Sequence, residues 1–323
     1  MLGSSLASAA MLCAFSAIAW HAFQVPSAHG ASATAAGDVV DIVETAVCGP
    51  ERIGKAIVAT LNRAPIVTVS ANGHSVTLIL DTGAERTVFT PAVAKQIGAQ
   101  RPSVEFQRRI RGISGDVDSY EVELRSFAIG NVAIPWHRVL VSRVTMATVF
   151  PTPLDGLLGS DVLSDFDIDL DLPRSQVTFY KKQTCQTAQP DWHNSYTSVI
   201  AGLSRGERLF FPVQLDGHPL TAIVDTGSQL TVLATAVART LGVTEAMLSQ
   251  DRSTTAQGVA GEPLSSRVHQ FTKLQIGTMA IRNPEVVVTD LKLSEADIVL
   301  GIDLMRSRRL WMSYGSRRIF LSN

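Results

Sequence analysis

The feature that most constrains this chain is that it repeats itself. Residues 81–99 read DTGAERTVFTPAVAKQIGA, and residues 225–243, displaced by 144 positions, read DTGSQLTVLATAVARTLGV. Asp-Thr-Gly, Thr87/Thr231, Val88/Val232, the Ala-Val-Ala of 92–94 and 236–238, and Gly98/Gly242 are identical. Upstream at the same displacement Asn72-Gly73-His74 matches Asp216-Gly217-His218. Asn-Gly and Asp-Gly are strong hairpin signals, so His74 and His218 read as turn residues. Downstream, with small shifts, Gly112-Ile113-Ser114-Gly115 aligns with Gly258-Val259-Ala260-Gly261, and Leu157-Leu158-Gly159-Ser160-Asp161 with Val299-Leu300-Gly301-Ile302-Asp303. The chain is therefore two copies of a unit of about 115 residues, an ordinary domain size.

Within each unit the pattern is mostly β. Apolar strands at 66–70 and 210–215 precede the glycine turns, and strands at 76–80 and 220–224 run directly into Asp-Thr-Gly. Further strands are expected at 139–141, 176–180, 286–288 and 318–321. Short helical turns at 93–97 and 237–241 each end on a glycine, and a second short helix follows each Leu-Gly, from Asp161 and Asp303. The spacing predicts an all-β chain of two tandem closed or sandwiched antiparallel lobes, at 64–182 and 206–323, with a polar linker at 183–205. Before them lie a segment at 1–35 and an N-terminal extension at 36–63.

Composition removes several function classes. With 46% apolar and 18% charged residues the chain has material for a packed core. A formal net charge of −1 lacks the basic excess of a nucleic-acid binder, and 6% aromatics gives little for stacking on bases. No Cys-x-x-Cys or His-Glu-x-x-His occurs, so no metal site is expected, and there is no phosphate loop or Gly-x-Ser-x-Gly. Residues 6–23 carry no formal charge and are followed by Ala31-Ser32-Ala33 and Ala33-Thr34-Ala35, the pattern of an export signal with a cleavage site. The absence of Lys or Arg in residues 1–10 keeps an uncleaved membrane anchor open as the rival reading. Either reading puts the folded part outside the cytoplasm, where Cys48 and Cys185 could pair; spacing alone leaves two unconnected thiols equally open.

Asp81-Thr82-Gly83-Ala84 and Asp225-Thr226-Gly227-Ser228, each after an apolar strand and each followed some seventy-five residues on by a hydrophobic–hydrophobic–Gly, resemble the retropepsin-like aspartic proteases. The run Leu157-Leu158-Gly159-Ser160-Asp161-Val162-Leu163 looks most like bacterial members. The resemblance implies two acid-protease β-barrel lobes about a pseudo-two-fold axis, one catalytic aspartate from each, and no cofactor. It implies a peptide or protein substrate, and an endopeptidase exported to a bacterial periplasm or anchored on a membrane's outer face by its N-terminal apolar segment. Both halves are in one chain, so a monomer should suffice.

The residue types suit that chemistry. Two close carboxylates cannot both ionise, so Asp81 and Asp225 would share a proton and supply base and acid together. Thr82 and Thr226 have hydroxyls able to bond across the axis, while Gly83 and Gly227 allow close approach of the backbone. Gly112/Gly115 and Gly258/Gly261 stand where the resemblance places two flaps, with plain hairpin turns as the alternative. Ser228, facing Ala84 in the repeat, is expected to donate its hydroxyl to Asp225 and make it the ionised partner. A non-proteolytic peptide-binding scaffold, with the aspartates as loop residues, is the other function class.

Two charged stretches lie outside these motifs. Residues 165–171, DFDIDLD, fit no calcium loop, because Leu170 and Gln176 replace the required Gly and Glu; a strand with a solvated acidic face is expected. Arg306, Arg308, Arg309, Arg317 and Arg318 read as a solvated basic face or as partners of that acidic strand.

Overall fold

A computed structural model describes residues 49–61, 64–102, 107–112, 115–135, 137–144, 154–258, 263–291, 293 and 295–323. The N-terminal apolar segment, Cys48 and Gly261 lie outside the described residues. Strands make up 52% of the structure, with five short helices among the described residues, and the fold is two tandem lobes of like topology.

Each lobe starts with a tight hairpin. Strands Ala64–Ala71 and His74–Leu80 pair antiparallel around Asn72 (φ 50°) and Gly73 (φ 84°); Leu209–Leu215 and His218–Val224 do the same around Asp216 (φ 49°) and Gly217 (φ 84°). Two successive positive φ values demand this kind of dipeptide. The turn side chains also tie the hairpins down: Asn72 Oδ1 accepts from Arg125 N at 2.7 Å and Asp216 Oδ1 from Lys273 N at 2.7 Å.

The expectation of purely antiparallel lobes is corrected by the strands that carry the aspartates. Strand Gly156–Leu158 runs parallel to His74–Leu80, and Val88–Phe89 runs parallel to His137–Ser142. In the second lobe Ile298–Leu300 runs parallel to His218–Val224, and Val232–Ala234 to Glu285–Thr289. The long excursion between each strand and its partner supplies the crossover that parallel pairing requires. Burial on both faces turns these strands into unbroken apolar runs, with neighbours packing into different clusters. Leu78, Leu80 and Leu158 enter the main core, whereas Ile79 and Leu157 pack with Val88 and Leu140 on the other face. Ala222, Val224 and Leu300 against Ile223 and Val299 repeat the arrangement.

A sheet common to both lobes joins them. Its order is Tyr196–Ile200, Arg318–Ser322, Arg309–Ser313, Phe166–Asp171, Gln176–Lys181, Arg52–Leu61, all antiparallel. The central contact pairs Ile168 with Met312 and Leu170 with Leu310. The two outermost strands come from spans that read in sequence as an extension (36–63) and a linker (183–205).

The acidic strand is not solvated, which corrects the sequence expectation. Asp167, Asp169 and Asp171 are 2%, 1% and 5% exposed. Asp169 accepts from Arg309 Nε at 2.8 Å and from Trp192 Nε1 at 3.2 Å, and the Arg309 guanidinium lies 5.0 Å from the Trp192 ring centre. Asp167 accepts from Ser313 Oγ and Gly315 N, each at 3.0 Å, and Asp171 from Arg174 Nη1 at 2.9 Å. Trp192, Tyr180, Trp311 and Phe320 cluster beside these groups. The connector lays Trp192 over this face, and burial raises the carboxyls of Asp167 and Asp169 despite their partners. Of the basic residues, Arg309 is thus a partner of the acidic strand. Cys185 is disulfide-bonded, and both other cysteines, Cys13 and Cys48, lie outside the described residues. Among the described residues no helix is long and apolar enough to cross a membrane.

Candidate active site

Both Asp-Thr-Gly loops hang from the ends of the parallel strands, and the strand behind each one anchors its aspartate. Asp81 N donates to Leu158 O at 3.0 Å and Asp225 N to Leu300 O at 3.0 Å. Two residues further along that strand's continuation, Ser160 N donates to Ala84 O and Ile302 N to Ser228 O, each at 2.8 Å. The hydrophobic–hydrophobic–Gly segments therefore hold each loop at two points.

The loops then lock to each other. Thr82 N donates to Thr226 Oγ1 at 3.1 Å and Thr226 N to Thr82 Oγ1 at 3.1 Å. Each hydroxyl spends its own proton on the opposite lobe, Thr82 on Val224 O at 2.7 Å and Thr226 on Leu80 O at 2.5 Å. These four bonds are buried, with Thr226 fully inaccessible and Thr82 3% exposed. A buried, reciprocal set of this kind fixes the distance between the two loops, since losing one member strands a partner.

That lock brings Asp81 and Asp225 together. The two carboxyls lie close enough that each perturbs the titration of the other. A Cβ at Gly83 would overlap the Asp225 carboxyl, and one at Gly227 would overlap that of Asp81, so the glycines are required by the close approach. Each carboxylate is also held from below. Asp81 Oδ1 accepts from Gly83 N at 3.0 Å and Ala84 N at 2.9 Å, and Asp225 Oδ1 from Gly227 N at 2.8 Å and Ser228 N at 3.0 Å.

Burial raises both carboxyls above the ordinary range, and the negative neighbour raises Asp81 further. Asp225 is drawn back down by its interaction with Asp81, by the two backbone donors and by Arg208. Two carboxyls this close cannot both ionise freely, and a pair that shares one proton can offer a base and an acid in one site.

The Ser228 hydroxyl does not do what its position in the repeat suggested. It donates to Leu230 O at 2.8 Å, and only the Ser228 backbone N–H reaches Asp225. Ala84 supplies the same backbone donor on the other side, so position 84/228 leaves the two carboxylates equivalent. The corresponding expectation is overturned.

Gly112 and Gly115 face each other at the end of a hairpin formed by strands Gln107–Gly112 and Gly115–Leu124. Gly258 follows the strand Arg252–Ala256, which pairs with Leu264–Gln270. A cavity of about 390 Å³ beside the shared sheet, lined by Asp171, Arg174, Trp192 and Arg309 among others, contains neither aspartate of the pair.

Two sets of supporting residues went unread in the sequence. Asp161 Oδ1 accepts from Thr87 N at 2.8 Å and Thr87 Oγ1 at 2.7 Å, and Thr87 Oγ1 in turn accepts from Gly159 N. Asp303 holds Thr231, and Thr231 holds Gly301, in the same way. Their signal was present, because all four residues are identical across the repeat. Glu85 and Arg208, an ion pair at 2.8 Å between the two lobes, had no such signal, since the repeat places Gln229 and Ala64 opposite them.

A family model described as aspartyl protease matches residues 67–162 and 211–304. The chain is also similar to proteins named DNA damage-inducible protein 1. That of Eremothecium gossypii is 31% identical over 98 residues, covering 30% of this chain and 20% of that protein. Those of Kluyveromyces lactis and Saccharomyces cerevisiae are 29% and 26% identical over 98 residues, each covering 30% of this chain and 22% of the relative. The chain thus spans about a fifth of the length of these relatives.

Proposed function

Since the chain belongs to the retropepsin-like aspartyl protease family, we propose that it is an endopeptidase that activates water between Asp81 and Asp225. The observation that carries this reading is the placement of two carboxyls in one buried site, each opposite a glycine and each held by two backbone N–H groups. The ionised carboxylate takes a proton from water as the water oxygen bonds to the scissile carbonyl carbon. The protonated carboxyl delivers its proton to the amide nitrogen as the C–N bond breaks. One proton enters the pair and one leaves, so it ends each turnover singly protonated. Thr82 and Thr226 keep the two carboxyls at a fixed separation, and rigid positioning of this kind lowers the barrier of such a step.

The substrate is a peptide or protein, and the hairpin bearing Gly112 and Gly115 and the strand pair next to Gly258 cover it as flaps. Both loops are in one chain, so the active species is a monomer. Disulfide-bonded Cys185 supports export into an oxidising space, with residues 1–35 as leader or anchor. The test is cleavage of casein or a peptide library by the purified chain beside Asp81→Asn and Asp225→Asn. Cleavage by the parent that both variants lose supports the proposal; a parent that cleaves nothing, or a variant that keeps substantial activity, refutes it.

A further inference from the structure

The two strand pairs read as flaps join their lobes by different kinds of contact. In the first lobe the join is ionic. Glu121, on strand Gly115–Leu124, is 6% exposed, and its Oε1 accepts from Arg108 Nε at 3.0 Å and from Arg86 Nη2 at 3.5 Å. Arg108 lies on the facing strand Gln107–Gly112, where its carbonyl accepts from Ser119 Oγ at 3.0 Å. Arg86 follows the Asp81 loop, and its Nε donates to Asp161 Oδ2 at 3.1 Å. Asp161 in turn grips Thr87 beneath that loop. Arg108, Glu121, Arg86 and Asp161 thus alternate in charge from the hairpin to the loop, with no step longer than 3.5 Å. This run lies within one lobe, unlike the bridge in which Arg208 meets Glu85 and Glu295 at 2.8 Å each.

Strand pairing identifies the counterparts in the second lobe. Glu121 pairs with Leu140 and Leu140 with Val88, just as Val268 pairs with Val287 and Val287 with Val232. Arg108 faces Ser119, two positions before Glu121, and Thr254 faces Ser266, two positions before Val268. Arg86 corresponds to Leu230 in the repeat. Leu230 and Val268 both pack against one apolar cluster that includes Ala256 and Val287. Places held by Arg, Glu and Arg in the first lobe are therefore held by Thr, Val and Leu in the second. Apolar packing has no preferred direction and tolerates sliding. A buried carboxylate between two guanidinium groups is directional, and parting it from either one is costly.

We propose that Glu121 and Arg86 are positioning residues that tie the first hairpin to the Asp81 loop, so that this hairpin, and not its counterpart, sets the loop as it closes over a peptide. The consequence for catalysis rests on the proteolytic reading above; the tie itself does not. The experiment is hydrogen exchange read by mass spectrometry on the full chain, which needs no cleavage. In the isosteric variant Glu121→Gln, amides of 107–124 and of 82–89 should exchange about tenfold faster, together. Those of 226–233 and 252–270 should keep the parent's rates. Arg86→Leu combined with Glu121→Val, which installs the second lobe's residues, should accelerate exchange less than the two single changes summed. In peptide assays Glu121→Gln should lower kcat by about tenfold and leave KM within about twofold, because the contact is spent on closure rather than on capture. Exchange of 82–89 unmoved in Glu121→Gln, equal acceleration of 226–233, or a raised KM with kcat unchanged overturns the proposal. A parent chain that cleaves no peptide counts against the proteolytic reading alone, and the exchange result still decides the tie.

Discussion

In the first lobe Thr87 is gripped by Asp161 and receives the Gly159 amide; in the second Thr231 is gripped by Asp303 and receives the Gly301 amide. Around these matched sets the lobes part company. Asp161 also takes Arg86 Nε at 3.1 Å and faces His137 Nε2 at 3.5 Å, whereas Leu230 replaces Arg86 in the second lobe. Ser160 donates to Thr82 O at 3.1 Å, while its counterpart Ile302 has no side-chain donor. Arg208 has Ala64 opposite. The groups held in common are those that set the position of a carboxylate in its loop. The groups that differ surround the loop and decide how alike the two carboxylates are once they are in place.

The largest expected effect breaks the symmetry at its centre. Asp81→Asn or Asp225→Asn each removes one of two indispensable roles, so either should cut peptide cleavage by about 10³-fold or more with the fold intact by circular dichroism. Equal losses are the signature of a shared proton; a variant with activity near the parent's would mean that the two sites act independently.

Next comes the support beneath each loop. Asp161→Ala and Asp303→Ala each leave a buried threonine N–H and hydroxyl unpaired, which should destabilise the chain by roughly 3 kcal/mol. Because Asp161 carries the additional Arg86 contact, its loss should be the larger in urea melts. The reverse order would show that the additional contact adds nothing.

A pH series sharpens the comparison between the pair and its surroundings. Asp81, Asp167, Asp169 and Asp303 are all raised above 3.8 by burial. A carboxyl raised in the folded state binds its proton more readily there than in the unfolded chain. Its stabilisation is complete below the unfolded value and is lost as pH rises through the folded one. The melting temperature should therefore climb as pH is lowered from neutrality toward 4, and Asp81→Asn should flatten that slope most. A melting temperature that falls steadily over this range would contradict the burial of these groups.

The smallest effect is expected at the position that looked most asymmetric in sequence. Ser228→Ala removes a bond to Leu230 O and nothing from Asp225, so it should cost about 1 kcal/mol and leave the pH–rate profile in place. A shifted acidic limb would return the serine hydroxyl to Asp225.

The repeat carried a great deal of this structure. Two aspartates at one displacement, each behind an apolar strand and ahead of a Leu-Gly, were enough to identify both loops and the segments beneath them. What it left out was set by contacts between non-equivalent residues. Parallel pairing of Gly156–Leu158 with His74–Leu80 was not read, because alternation reports which faces are buried and carries no strand direction. The burial of Asp167, Asp169 and Asp171 depends on Trp192 and Arg309, which lie in the connector and in the other lobe. Arg52–Leu61 and Tyr196–Ile200 read as extension and linker because the repeat as aligned did not reach them, yet they pair with Gln176–Lys181 and Arg318–Ser322. Arg208 is visible only once Glu85 and Glu295 are placed beside it.

The sheet shared by the lobes carries one more implication. Cut between the lobes, the chain would leave Phe166–Asp171 and Arg309–Ser313 each with one bare side of unpaired N–H and C=O groups, flanked by apolar residues such as Ile168 and Met312. Such a margin recruits whatever strand it meets, including copies of itself. The connector keeps the proper strand at a high effective concentration, so the joint closes within one molecule before a stranger can dock. Joining the halves in a single polypeptide thus keeps each of these edges covered by the other.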